Sequence, residues 1–171
     1  MADTPRMQRK NMAHFIDDTF GGTTPSWYRL GKDLEEFNVE MNPDVTQFKN
    51  ILGENGFTHN GYEVSANSEP FYARQGDPLF AQLQTIADEM KQYEGCQTQG
   101  CEVHMWEPGT TSGTFKAYKQ TCYVVPTSYG GDTSGYQIPF TVYYTGEKTL
   151  GTFTPDGNGS GTFATGFTPA S

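Results

Sequence analysis

The chain has 171 residues, with 20 acidic against 11 basic side chains and a formal net charge of −9. That length supports one domain with a sizeable core, and that charge excludes a general affinity for nucleic acid or an anionic membrane, because phosphate binding needs a basic footprint. The opening MADTPRMQRKNMAHFIDDTF has no apolar signal core and no later run approaches membrane-spanning length, so the expectation is a soluble, cytoplasmically made protein without a membrane partner.

The first 25 residues show no period and end in GGTTPS, a loop signal, so they read as an N-terminal arm. Arg6, Arg9 and Lys10, three of the eleven basic residues, sit on it. Residues 26–150 read as the body of the fold. From Ser26 to Met41 the chain is patterned as strand, with apolar residues first at even positions (Tyr28, Leu30, Leu34) and then at odd ones (Phe37, Val39, Met41). A change of parity near Glu35-Glu36 implies a bulge, a bend or two strands. On the second half, Glu36, Asn38 and Glu40 share the face opposite the apolar one.

NPDVTQFKNILGENG carries helix punctuation: Asn42 as cap, Pro43 at the first position, Asp44 at the positive end and Gly53 as stop. A short helix is expected there, with Val45, Phe48 and Leu52 on one face. Asn60-Gly61, between strand-like flanks, predicts a hairpin turn. In GDPLFAQLQTIADEMKQYEG, Asp77 caps, Pro78 starts and Gly95 ends a long helix whose Leu79, Leu83, Ile86 and Met90 form one apolar stripe. Strands follow in CEVHMWEP, TFKAYKQTCYVVPTSYGGD and GYQIPFTVYYTGE, the last broken or placed at an edge by Pro139. Residues 151–171 repeat Gly-Thr-Phe at 151 and 161, are rich in Gly and Thr, and read as a short hairpin fading into a flexible tail. The fold class is mainly β (a β-rich α+β chain): two packed antiparallel sheets in a sandwich or barrel, about 7–9 strands, one long flanking amphipathic helix and one short helix in a long loop.

The sequence offers little catalytic chemistry. Glu36 and Glu40, four apart on a strand, would stand roughly 13 Å from each other, too far for an acid/base pair in glycoside hydrolysis. His14, His59 and His104 lie in unrelated contexts without partners, and no nucleophile elbow, P-loop or HExxH is present. Cys96, Cys101 and Cys122 read as reduced thiols; a Cys96–Cys101 disulfide or a zinc site with His104 are the less economical readings. Asp156-Gly157-Asn158 reads as a turn before it reads as a cation site. No cofactor is implied. Trp27 and Trp106 keep open an alternative, a β-sandwich carbohydrate-binding module, secreted or attached to a virion. Between Asp33 and Glu63 stand seven acids (Asp33, Glu35, Glu36, Glu40, Asp44, Glu54, Glu63) against Lys49 alone, which is either a solvated face or a functional one.

In order, the pieces are an acid-rich strand, Asn42-Pro43-Asp44, a turn with Gly61-Tyr62, Gly76-Asp77-Pro78 before a long helix, and antiparallel strands closing in IPFTVYY. Over roughly residues 10–150 this order resembles the major tail protein (tail tube protein) of long-tailed, non-contractile bacteriophages, itself related to tube proteins of contractile tails and type VI secretion. The resemblance implies a non-enzymatic virion protein, made in the host cytoplasm, whose hexameric rings stack into a tube. Its partners would be further copies of itself and the tape-measure, tail-terminator and baseplate or distal tail proteins. Genomic DNA would pass without specific binding. Because a lumen that lets DNA slide should not bind phosphate, Glu36 and Glu40 are the candidate lumen-facing residues, with Phe37, Val39 and Met41 packed toward the helix; the alternative inner strand is GYQIPFTVYYTGE, whose Gln/Thr face is neutral. Arg6, Arg9 and Lys10 on the arm, and Asn42, Pro43, Asp44, Asn60 and Gly61 in the excursion, are then ring-to-ring contacts.

Overall fold

A computed structural model describes residues 4–171; the first three residues of the arm lie outside the described part. The elements run β1 (Met12–Asp17), β2 (Trp27–Glu40), β3 (Pro43–Lys49), β4 (Asn55–Tyr62), β5 (Ser65–Phe71), α1 (Pro78–Glu89), β6 (Gln97–Pro108), β7 (Phe115–Pro126), β8 (Gly130–Asp132), β9 (Gly135–Gln137), β10 (Phe140–Tyr144), β11 (Thr149–Pro155) and β12 (Gly161–Thr165). Short 3-10 turns occupy Arg9–Asn11 and Tyr93–Cys96. Eight strands form one antiparallel sheet in the order β10-β5-β2-β1-β6-β7-β11-β12, and β10 pairs again with β7. The sheet therefore curls until its first strand meets its sixth, and the two packed layers expected from the sequence are opposite walls of that one sheet. Curling removes two open edges from the centre of the fold.

One face of the sheet packs around α1. Ile16, Leu30, Phe37, Phe71, Val124, Phe140 and Val142 meet Leu79 and Leu83 of the helix in one buried cluster. The parity change in β2 serves this core: Leu30 and Leu34 reach it before the shift, Phe37 and Val39 after it, within a single 14-residue strand. β5 changes parity at the same rung, with Ser68 and then Phe71 buried. Asp77 caps α1 through bonds from the Leu79 and Phe80 amides at 2.9 and 3.1 Å, and accepts the Tyr28 hydroxyl at 2.6 Å, which ties the helix to β2. The helix ends at Glu89, with Met90 left-handed (φ 48°) and exposed, rather than running to Gly95. Met90 thus leaves the apolar stripe.

The opposite face carries a second cluster of Ala13, Phe15, Trp27, Cys101, Val103, Ala117 and Phe153. Two expectations change here. The arm becomes a central strand from Met12 onward, because Ala13 through Asp17 are all buried between β2 and β6. The Gly-rich tail forms the expected hairpin, β11–β12, but does not fade into a free end: it is joined to β7 and stapled by fully buried Phe153, and the Ala170 amide donates to the Pro108 carbonyl at 3.0 Å. Its Gly-Thr-Phe repeat has a physical meaning: the Phe163 ring lies where a Gly151 side chain would be, and the Phe153 ring where a Gly161 side chain would be. Each glycine makes room for the other strand's aromatic. Pro139 breaks the last predicted strand into β9 and β10.

The short helix expected over 42–52 is absent; β3 and β4 form a two-stranded hairpin instead. Cap signals are local and weak, whereas paired strands satisfy every second backbone group along Pro43–Lys49. Gly53 (φ 78°) belongs to the hairpin turn, where Asn50 Oδ1 accepts the Leu52 and Glu54 amides at 2.9 and 3.0 Å. Asn60-Gly61 is not the turn. Asp44 pairs with Gly61 and Val45 with His59, so Asn60 is the extra residue of a bulge, with Gly61 at φ 130°.

Candidate assembly and lumen surfaces

The acid face of β2 is built by alternation. Phe37 points into the core at 6% exposure, so Glu36, Asn38 and Glu40 point away from it and are exposed. Across β5, Glu69 stands opposite Glu36, Asn67 opposite Asn38 and Ser65 opposite Glu40. β10 extends the face with Thr141, whose hydroxyl donates to Asn67 Oδ1 at 2.7 Å, and with Tyr143. Of these eight side chains three are carboxylates, none is cationic, and the rest are amides or hydroxyls. Glu36 directly facing Glu69 costs stability, since like charges opposite each other across strands repel by some tenths of a kcal/mol. Glu69 was not visible as a member from the sequence, because only the β2–β5 register brings it there. Met41, expected beside Phe37, is instead exposed at the end of the strand.

The excursion residues meet at one place, the root of the β3–β4 hairpin. Asn42 adopts φ 43° and donates from Nδ2 to the Glu63 carbonyl at 3.0 Å and the Ser65 hydroxyl at 3.3 Å. Pro43 opens β3, and Asp44 Oδ2 accepts Asn60 Nδ2 at 3.0 Å beside Gly61. Beyond this root every residue of β3 is exposed. Val45, Phe48, Ile51, Leu52, Phe57 and Tyr62 all present apolar surface, Ile51 fully and Leu52 at 77%. A lone two-stranded hairpin is marginal in water, and an exposed apolar patch of this kind marks an interaction site.

Arg6, Arg9 and Lys10 are exposed at the start of β1. Arg9 Nη1 donates to the Met12 carbonyl at 2.7 Å and Nη2 to the Phe37 carbonyl at 2.8 Å, bridging the gap where β2 leaves β1 for β5. The cleft there is lined by Arg9, Lys10, His14, Arg29, Glu35 and Glu36 among others. Among the described residues none of Arg6, Arg9, Lys10, Arg29 and Lys32 has a carboxylate within 4.0 Å. His14, at 6% exposure, is held down to about 4 because burial disfavours its charged form. The structure thus brings Arg9 and Lys10, though not Arg6, to one cleft and the excursion residues to one hairpin root, two separate places.

The remaining reactive groups are engaged structurally. Both His104 ring nitrogens face carboxylates, Glu107 at 2.7 Å and Glu102 at 3.1 Å, and its ring stacks on Trp106 at 4.5 Å. The three cysteines are buried free thiols, and burial pushes Cys101 and Cys122 up to about 12, away from the reactive thiolate. The Asp156 carboxylate accepts the Asn158 and Ser160 amides, a turn. Trp27 lies in the core at 3% exposure, so the two tryptophans form no common sugar platform. Among the described residues no group of three His, Cys, Asp or Glu side chains is placed to hold a metal, and no helix is long and apolar enough to cross a membrane.

No protein-family model and no curated protein matches the sequence. Among solved structures the fold is similar to the tail of an empty GTA particle, determined by helical refinement with C6 symmetry. The TM-score is 0.58 at 9% identity, and the alignment covers 85% of this chain and 98% of that one. At that identity the likeness is one of fold.

Proposed function

We propose that this chain is a structural tail protein that assembles into six-copy rings stacked as a tube, a conduit for genome passage. The observation that carries this reading is the β3–β4 hairpin, which holds its apolar side chains in water and is explained only by a partner that covers them. The fold it shares with a sixfold tail supports further copies of this chain as that partner. The acid–amide face supplies the lumen. DNA carries one charge per ~1.7 Å of axis, so a wall bearing lysine would hold it at every ring, while Glu36, Glu40 and Glu69 among amides and hydroxyls repel it and let it slide. Proteins that set tube length, end the tube or join it to a baseplate are the other partners of this role.

Negative-stain electron microscopy over a concentration series, with light scattering alongside, tests it. Rings or hollow tubes are the expected result. A particle that stays monomeric at high concentration, even with preformed tail ends added as seeds, would refute it.

A further inference from the structure

The molecule segregates its charge. Three cations without a carboxylate partner among the described residues, Arg9, Lys10 and Arg29, line one cleft at the β1–β2 divergence, in a chain whose net charge is −9. The exposed hairpin carries the opposite sign: Asp44 and Glu63 at its root and Glu54 at its turn, against Lys49. We infer that the acidic hairpin of one copy seats in the basic cleft of a second copy, an inference that rests on the self-assembling role proposed above.

Reach separates this from an internal contact. Arg9 is bonded to the Phe37 carbonyl, three residues before the end of β2. The cleft therefore lies on the order of 10 Å along the strand from where the hairpin begins. The hairpin's strands, seven and eight residues long, carry its turn about 24 Å from that root. A straight two-stranded ladder cannot fold back over such a distance, so Glu54 meets a cleft on another molecule. The contact joins two different patches and is heterologous, the kind that propagates into rings or filaments instead of stopping at a dimer. Glu35 and Glu36 on the cleft wall set a limit on the approach: the incoming carboxylates must enter on the Lys10–Arg29 side. That side is held together by Arg29 Nη2, which donates to the Lys10 carbonyl at 3.4 Å.

A charge-swap pair tests the pairing. Lys10→Glu with Arg29→Glu makes the cleft acidic; Glu54→Lys with Glu63→Lys makes the hairpin basic. Each variant alone should need at least about tenfold more protein to assemble, because like charges then face each other. An equimolar mixture should recover wild-type assembly, since each variant's hairpin suits the other's cleft. Variants that assemble alone as well as wild type, or a mixture no better than its components, would overturn the pairing while leaving tube formation standing. A wild-type chain that never assembles would overturn the self-assembling role and the pairing with it. Zero-length carbodiimide cross-linking of wild-type assemblies, made from isotopically labelled and unlabelled copies, needs no variant to fold. It should join Lys10 of one copy to Glu54 or Glu63 of another, and the absence of that mixed-isotope link would also overturn the pairing.

Discussion

The hairpin turn gives the sharpest test of the proposed assembly, through the double substitution Ile51→Ser and Leu52→Ser. In the isolated chain these side chains are 103% and 77% exposed, so they bury nothing and their loss should cost the fold nothing measurable. Surface substitutions of this kind stay within about 0.5 kcal/mol, which for a chain of this size is a melting shift of about 2 °C or less. In the assembly the same side chains meet a neighbour. Fully burying an Ile or Leu side chain contributes about 1.5–3 kcal/mol. With about half of each buried, the pair contributes about 1.5–3 kcal/mol per contact, an increase of roughly ten- to a hundredfold in the protein concentration needed to assemble. Thermal melts by circular dichroism read the first quantity, and light scattering against concentration reads the second. Unchanged assembly would show that the turn touches no neighbour. A melting drop beyond ~5 °C would show that these residues pack on their own body, which the observed exposure forbids.

Other outcomes follow from the same structure. Asp77→Ala should cost about 2 kcal/mol in denaturant unfolding, from the lost cap and the orphaned Tyr28 hydroxyl, and Asp77→Asn should recover much of it. Phe153→Ala should cost about 3–5 kcal/mol, because the ring is fully buried between β11, β12 and the sheet; a loss below 1 kcal/mol would mean that the C-terminal hairpin is not part of the core. His14 is held near 4 when folded against 6.5 in the unfolded chain, so between those values the unfolded state binds more protons. Stability is therefore complete above pH 6.5 and falls as pH drops toward 4, by at most about 3 kcal/mol; urea titrations of His14→Gln should show that slope flattened. Lysine at Glu36, Glu40 and Glu69 together should leave tubes intact but make them retain duplex DNA at low salt, read by co-sedimentation, and release it as salt rises. Retention equal to wild type would place this face outside the lumen.

The sequence by itself determined the elements whose signals are local. Asp77-Pro78 capped a helix where predicted, alternation found β2, β6, β7 and β10 though not β1 or β5, and the parity change in β2 was already written in Leu34, Phe37 and Val39. Tertiary structure decided what local signals leave open. Asn42-Pro43-Asp44 and Gly53 suit a helix start and stop as well as a hairpin root and turn, and strand pairing over Pro43–Lys49 chose between them. The helix stopped at Met90 without a glycine, because no helix residue beyond Ala87 meets the core. Glu69 joined Glu36, and Arg9 reached the Phe37 carbonyl, through strand registers that bring together residues 33 and 28 positions apart. The Gly-rich tail became core through one phenylalanine. Propensity and capping act over a turn or two of chain, whereas register, edge pairing and burial depend on which distant segment arrives alongside, and the functional surfaces of this protein are made by those arrivals.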